Sequence, residues 1–101
     1  MVPRLSKLDA LKMLRACLQT GIVEYHPHFA KRCRERGVDP QDAQHVLRKG
    51  VIYDEPELDL RFQEWRYKVK GRPPDGEKLK VIITFLEHDE VLVITVMLDR
   101  K

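Results

Sequence analysis

Apolar residues recur with two different periods along this chain, and the change falls near Gly50. Before it, Leu8, Leu11, Leu14 and Leu18 return every three or four positions, with Ala10 and Cys17 widening the stripe. That spacing predicts an amphipathic helix. Ser6 with Asp9 three residues later makes a capping pair at its start, and Gly21 stands where such a helix stops. Ile22-Val23-Glu24-Tyr25 predicts a short strand, ended by Pro27. A second helix is expected from about Pro27 to Arg36, with Phe29, Ala30 and Cys33 inward and Gly37 as its terminator. Asp39 is a good N-cap, Pro40 fits a first helical position, and Asp42 complements the helix dipole. They predict a third helix, through Val46 and Leu47, with Gly50 as its stop. Val38 and Ala43 have the spacing of a hydrophobic staple.

Beyond Gly50 the period becomes two. Val51-Ile52-Tyr53 predicts a short strand. Trp65, Tyr67 and Val69 alternate with Glu64, Arg66, Lys68 and Lys70, giving a strand with one apolar and one basic face. Gly71 to Gly76 is a turn-rich break. Leu79 to Leu86 and Val91 to Leu98 predict two apolar strands, joined by a tight hairpin at Glu87-His88-Asp89-Glu90. Helices first and antiparallel strands afterwards indicate an α+β domain. Its helices are expected on one face of a twisted antiparallel sheet of about four strands. The other face is left to a ligand.

Composition narrows this picture. With 101 residues, 43% hydrophobic and 35% charged, the chain is expected to be one ordered domain around one core. The net charge of +3 is too small to imply nucleic acid by itself. Its distribution is more telling. Lys31, Arg32, Arg34 and Arg36 form one basic run, and Arg61, Arg66, Lys68, Lys70 and Arg72 another, with the acidic stretch Asp54 to Asp59 between them. Such segregation is compatible with one basic face. Cys17 and Cys33 fall on apolar helix faces, no signal-peptide pattern is visible, and no segment reaches membrane-span length. The expectation is a cytoplasmic protein with reduced, buried thiols.

The candidate chemistry centres on His28, which can exchange a proton near neutral pH, and on the arginines behind it, which can hold phosphate. RNA cleavage without metal needs a base for the 2′-OH, an acid for the leaving 5′-oxygen, and cations for the non-bridging oxygens. His28 suits base or acid. Arg32 lies one turn on, on the same side of the helix, and Arg36 continues the row. If that helix lies beside the basic strand, these groups meet Arg66, Lys68 and Lys70, with Glu64 or Glu24 to orient the histidine. The plainer reading makes the arginines a solvated face paired with Glu35 and the acidic loop, His28 a backbone-bonded residue, and Trp65 and Tyr67 core. His26 and His28 with Cys33 and Cys17 do not suit zinc, because Pro27 separates the histidines and structural sites present paired ligands on knuckles. No metal and no cofactor is expected.

Further motifs carry a resemblance. His28, Ala30, Arg32 and Arg36-Gly37 are followed by Asp39, Leu47-Arg48-Lys49-Gly50 and Val51-Ile52-Tyr53. Later come Arg66-Tyr67-Lys68-Val69-Lys70-Gly71 and Val93-Ile94-Thr95-Val96. The set resembles a family of small bacterial domains of unknown function, which is itself similar to the RelE and BrnT toxins of toxin–antitoxin pairs. Residues 1–21 would then be an added N-terminal helix and 22–101 the toxin-like core. The resemblance implies a RelE-like fold, metal-independent ribonuclease activity, an RNA substrate and an antitoxin partner. It also implies a role for Thr95 on the phosphate or on His28. The resulting site has His28, Arg32, Arg66 and Thr95 as catalytic residues and Arg36, Lys68 and Lys70 as phosphate-binding ones. Two rivals stay open. One is a non-catalytic module on the same fold that binds nucleic acid or protein. The other is an oligomerising domain that docks a partner through an exposed strand or the first helix.

Overall fold

In the computed structural model, which describes residues 2–100, the elements follow the order α1 (Lys7–Thr20), β1 (Ile22–Tyr25), α2 (Phe29–Arg36), α3 (Pro40–Lys49), β2 (Glu57–Asp59), β3 (Glu64–Gly71), β4 (Leu79–Glu87) and β5 (Glu90–Leu98). The local signals work as chemistry dictates. Ser6 Oγ accepts from the Asp9 N–H at 3.1 Å, and the Asp39 carboxylate accepts from the Gln41 N–H at 2.9 Å, so α1 and α3 start on their expected caps. Gly37 closes α2 at φ 65°, in the left-handed region that favours glycine. This second helix is shorter than expected. Pro27 lies in the turn before it, His28 is its N-cap, and Ala30 is exposed rather than inward.

The strands combine into one five-stranded sheet in the order β1-β5-β4-β3-β2. It is mixed, because β1 runs parallel to β5 while the other pairs are antiparallel. The expected antiparallel sheet of about four strands is corrected on both counts. Turn signals specify pairing between neighbours in the chain, whereas β1 pairs Ile22 with Glu90 across most of its length. That junction is tight. The Ile22 N–H donates to the Asp89 carbonyl at 2.7 Å, and a Cβ on Gly21 would sit 2.4 Å from the same oxygen.

Val51-Ile52-Tyr53, expected as a strand, does not form one. Only Val51 pairs, in one isolated bridge to Lys70 with both N–H···O bonds at 2.9 Å. Pro56, which has no N–H to offer a ladder, interrupts the run. Pairing resumes afterwards as β2, with Glu57 opposite Arg66.

The core lies between the helices and one face of the sheet. Ala10, Leu14 and Cys17 of α1 and Val46 and Leu47 of α3 are buried with Tyr67, Val69, Val81 and Ile83 of the middle strands. Each such aliphatic side chain contributes about 1.5–3 kcal/mol by leaving water. The Tyr67 hydroxyl accepts from the Leu5 N–H at 2.9 Å, tying the segment before α1 to the sheet. Both cysteines are buried, and burial, aided by Asp89 at Cys17 and Asp39 at Cys33, pushes their thiols up. Among the described residues, no helix is long and apolar enough to cross a membrane.

One irregularity shapes the other face. Ile82 pairs with Thr95 but Ile83 pairs with Val93, so Ile94 is an extra residue in β5. In an unbroken strand Thr95 would share a face with Val91 and Val93, which are fully buried. The bulge turns Thr95 away from the helices and restores Val96 to the core.

Candidate functional site

The sheet face away from the core carries a groove of about 360 Å³. Strand parity builds it. Arg66 and Lys68 come from β3, Lys80 and Ile82 from β4, and Thr95 and Met97 from β5. Glu57, Leu58 and Asp59 of β2 close one side. Lys70 continues the β3 row beyond Lys68, and its register partner is Lys80. Four cations therefore share one exposed face of two neighbouring strands, because alternation sends the apolar neighbours Tyr67, Val69 and Val81 into the core.

α2 reaches this face through a single arginine. Arg36 donates from Nη1 to the Thr95 hydroxyl and to the Val96 carbonyl, both at 2.9 Å. Its Nε and Nη2 have no protein partner among the described residues. The Thr95 oxygen accepts this bond, which leaves its O–H free to donate. The pair thus presents guanidinium and hydroxyl donors side by side, the groups that bind phosphate oxygens.

The cations are held by carboxylates from the preceding segment. Lys70 pairs with Asp54 at 2.9 Å, Lys68 with Glu57 at 2.6 Å, and Arg66 with Asp59 at 3.3 Å and Glu64 at 3.0 Å. Lys80 has no ion-pair partner among the described residues. The hydrogen bond from Lys70 holds the Asp54 carboxyl below its usual range, and that from Lys68 does the same to Glu57. Asp59 is lowered first by the Phe62 N–H and then by the Arg66 charge. In return Asp54 raises Lys70.

Of the expected site residues, Arg66, Lys68 and Thr95 line the groove, Arg36 is bonded to Thr95, and Lys70 adjoins the groove on β3. His28 and Arg32 are not among the lining residues. Arg32 pairs with Glu35 at 2.8 Å, one turn away on the same helix, and its hydrogen bond, then its charge, lowers that carboxyl. His28 is exposed, and its N–H donates to Nδ1 of His26 at 3.1 Å, with the two rings edge-on at 5.3 Å. His28, Arg32 and Arg36 lie four residues apart along one side of α2, so His28 stands about 12 Å from Arg36 along the axis. A proton carrier must come within about 3 Å of its target, directly or through one water. A ligand held at Arg36 must therefore extend along α2 to meet the imidazole.

Sequence reasoning missed Lys80, Glu57 and Asp59 as parts of this groove. Lys80 had a legible signal, being the one charge inside an otherwise apolar strand and opposite in parity to Leu79 and Val81. The carboxylates had none, since their strand is only three residues long. No group of three or more metal-ligating side chains occurs among the described residues.

No curated protein and no solved structure matches this chain. One family does, over residues 25–98, which takes in α2, the groove and all of β2 to β5 but leaves out α1. The chain belongs to that family, described as a domain of unknown function, DUF4258.

Proposed function

We propose that this domain binds single-stranded RNA through the groove, on a scaffold similar to the RelE and BrnT toxins. The observation that carries the reading is the bond between Arg36 and Thr95. It sets a helix cation beside the strand cations Arg66, Lys68 and Lys80, with hydroxyl and guanidinium donors between them. Arg66, Lys68 and Lys70 bind successive phosphates, and Arg36 with Thr95 fixes one of them. The open, solvated shape suits a flexible strand laid along the sheet. In this reading RNA is the ligand, an antitoxin protein is the implied partner, and neither metal nor cofactor takes part.

Metal-independent cleavage is the second reading. What favours it is the row His28, Arg32 and Arg36, which leads along α2 from the groove to an exposed imidazole. An RNA anchored at Arg36 and following that row would bring a 2′-OH to His28.

Fluorescence anisotropy with a labelled single-stranded RNA tests the first reading. Binding is expected, weakening steeply with added salt, and its absence at low salt refutes the proposal. Incubation of the same RNA with the protein in EDTA tests the second. Products formed by the wild type and lost in His28→Ala support it, and no cleavage, or equal cleavage by the variant, rejects it.

A further inference from the structure

The acidic segment before β3 follows the basic row of that strand pair by pair. Running backwards along the segment, Asp59 meets Arg66, Glu57 meets Lys68 and Asp54 meets Lys70. The three cations are alternate residues on one strand face, so they repeat at about 6.6–6.8 Å. That repeat is comparable to the spacing of phosphates along an extended nucleic-acid strand. A short run of carboxylates thus lies against the row as an internal likeness of a polyanion. Its hold is slight, because β2 is three residues long and at the sheet edge, and the Glu57 side chain is 69% exposed. Glu57 has no further side-chain hydrogen bond among the described residues.

We infer that segment 54–59 is a built-in competitor that makes the groove select chains of several adjacent phosphates over single phosphate groups. This rests on the RNA-binding reading and gives it a specificity device. A tethered carboxylate meets its cation at the effective concentration of a short linker, in the millimolar range. A lone phosphate must displace it with one contact and is outcompeted. A strand that engages three or four cations together gains avidity from the same cations and wins. Lys80, which has no carboxylate partner, and Arg36 are the open contacts from which displacement starts.

The test uses the full chain and the double variant Asp54→Asn/Glu57→Gln, whose side chains keep their size and lose their charge. Anisotropy of a labelled ten-residue RNA is followed against salt, with inorganic phosphate as competitor. The variant is expected to bind about tenfold more tightly. Its salt slope should steepen by about 1.4, because two freed cations each release a counterion at about 0.7 per phosphate on a single strand. Phosphate should displace RNA from the variant at concentrations that leave the wild type unaffected. Binding by the variant alone overturns the inference, because a groove that its own segment masks completely selects no chain of phosphates. Equal affinity, slope and phosphate sensitivity overturn it while leaving RNA binding in place. Absence of binding by both proteins overturns the inference and the RNA-binding reading together. Glu57→Gln alone repeats the measurement with the least structural cost, and a change in the same direction is required of it.

Discussion

Arg36 and Thr95, 59 positions apart in the chain, are joined by a 2.9 Å hydrogen bond in which the guanidinium donates and the hydroxyl accepts. The contact exists because the extra residue Ile94 turns Thr95 to the open face, where the last turn of α2 meets it. One bulge in a strand thereby fixes the orientation of a helix side chain.

Removing the acceptor tests that dependence. Thr95→Val leaves Arg36 its bond to the Val96 carbonyl but frees the guanidinium to turn. RNA affinity is expected to fall about tenfold, about 1.4 kcal/mol, with the melting temperature little changed. Thr95→Ser should restore it. Arg36→Lys should not, because an ammonium cannot donate in the fork that a guanidinium supplies. Anisotropy and thermal circular dichroism give the two readouts.

Two glycines separate close packing from backbone conformation. A Cβ on Gly50 would lie 2.5 Å from the Val46 carbonyl oxygen and 2.6 Å from that of Lys70, both fixed by hydrogen bonds. Gly50→Ala is expected to cost about 3 kcal/mol or more, in the range of severe core strain. Gly37 has open space around it but a φ of +65°. Gly37→Ala should cost only about 1 kcal/mol, the penalty of a left-handed alanine. Urea denaturation of both variants measures the contrast.

Two sets of carboxyls respond to pH in opposite senses. Glu90 is raised, first by its hydrogen bond with Glu24 and then by burial and the charges of Glu24, Asp89 and Glu87. Its folded form favours the proton, so its contribution is complete below the ordinary glutamate range and fades as pH rises through the raised value. Asp54, Glu57 and Asp59 are lowered, so they contribute at neutral pH and lose that contribution as pH falls through their lowered values. Glu90→Gln is therefore expected to melt slightly higher than the wild type at pH 7, with the gap closing in acid. Glu57→Gln should melt slightly lower at pH 7 and also converge in acid. Melting curves across this range decide both signs.

The elements built on local chemistry were legible in the sequence. Ser6, Asp39 and Gly37 announced helix boundaries because caps act within one turn, and alternation from Glu64 to Lys70 gave both faces of β3. What escaped depends on distance or on parity. The parallel partner of β1 lies near the other end of the chain. The bulge at Ile94 is invisible because Val93-Ile94-Thr95-Val96 reads as uninterrupted strand. Within the site, the strand cations could be named from their alternation. Where α2 meets the sheet is set by the packing of Phe29 and Cys33, which no spacing rule encodes.

The pairing of β1 with β5 also governs when this fold can close. Ribosomes make β1 well before β5, its hydrogen-bonding neighbour in the sheet among the described residues. Until β4 and β5 are made, Ala10, Leu14 and Cys17 of the first helix lack part of the surface that keeps them dry. From the synthesis of α1 to that of β5 the first helix lacks this part of its cover, an interval in which a chaperone can hold it.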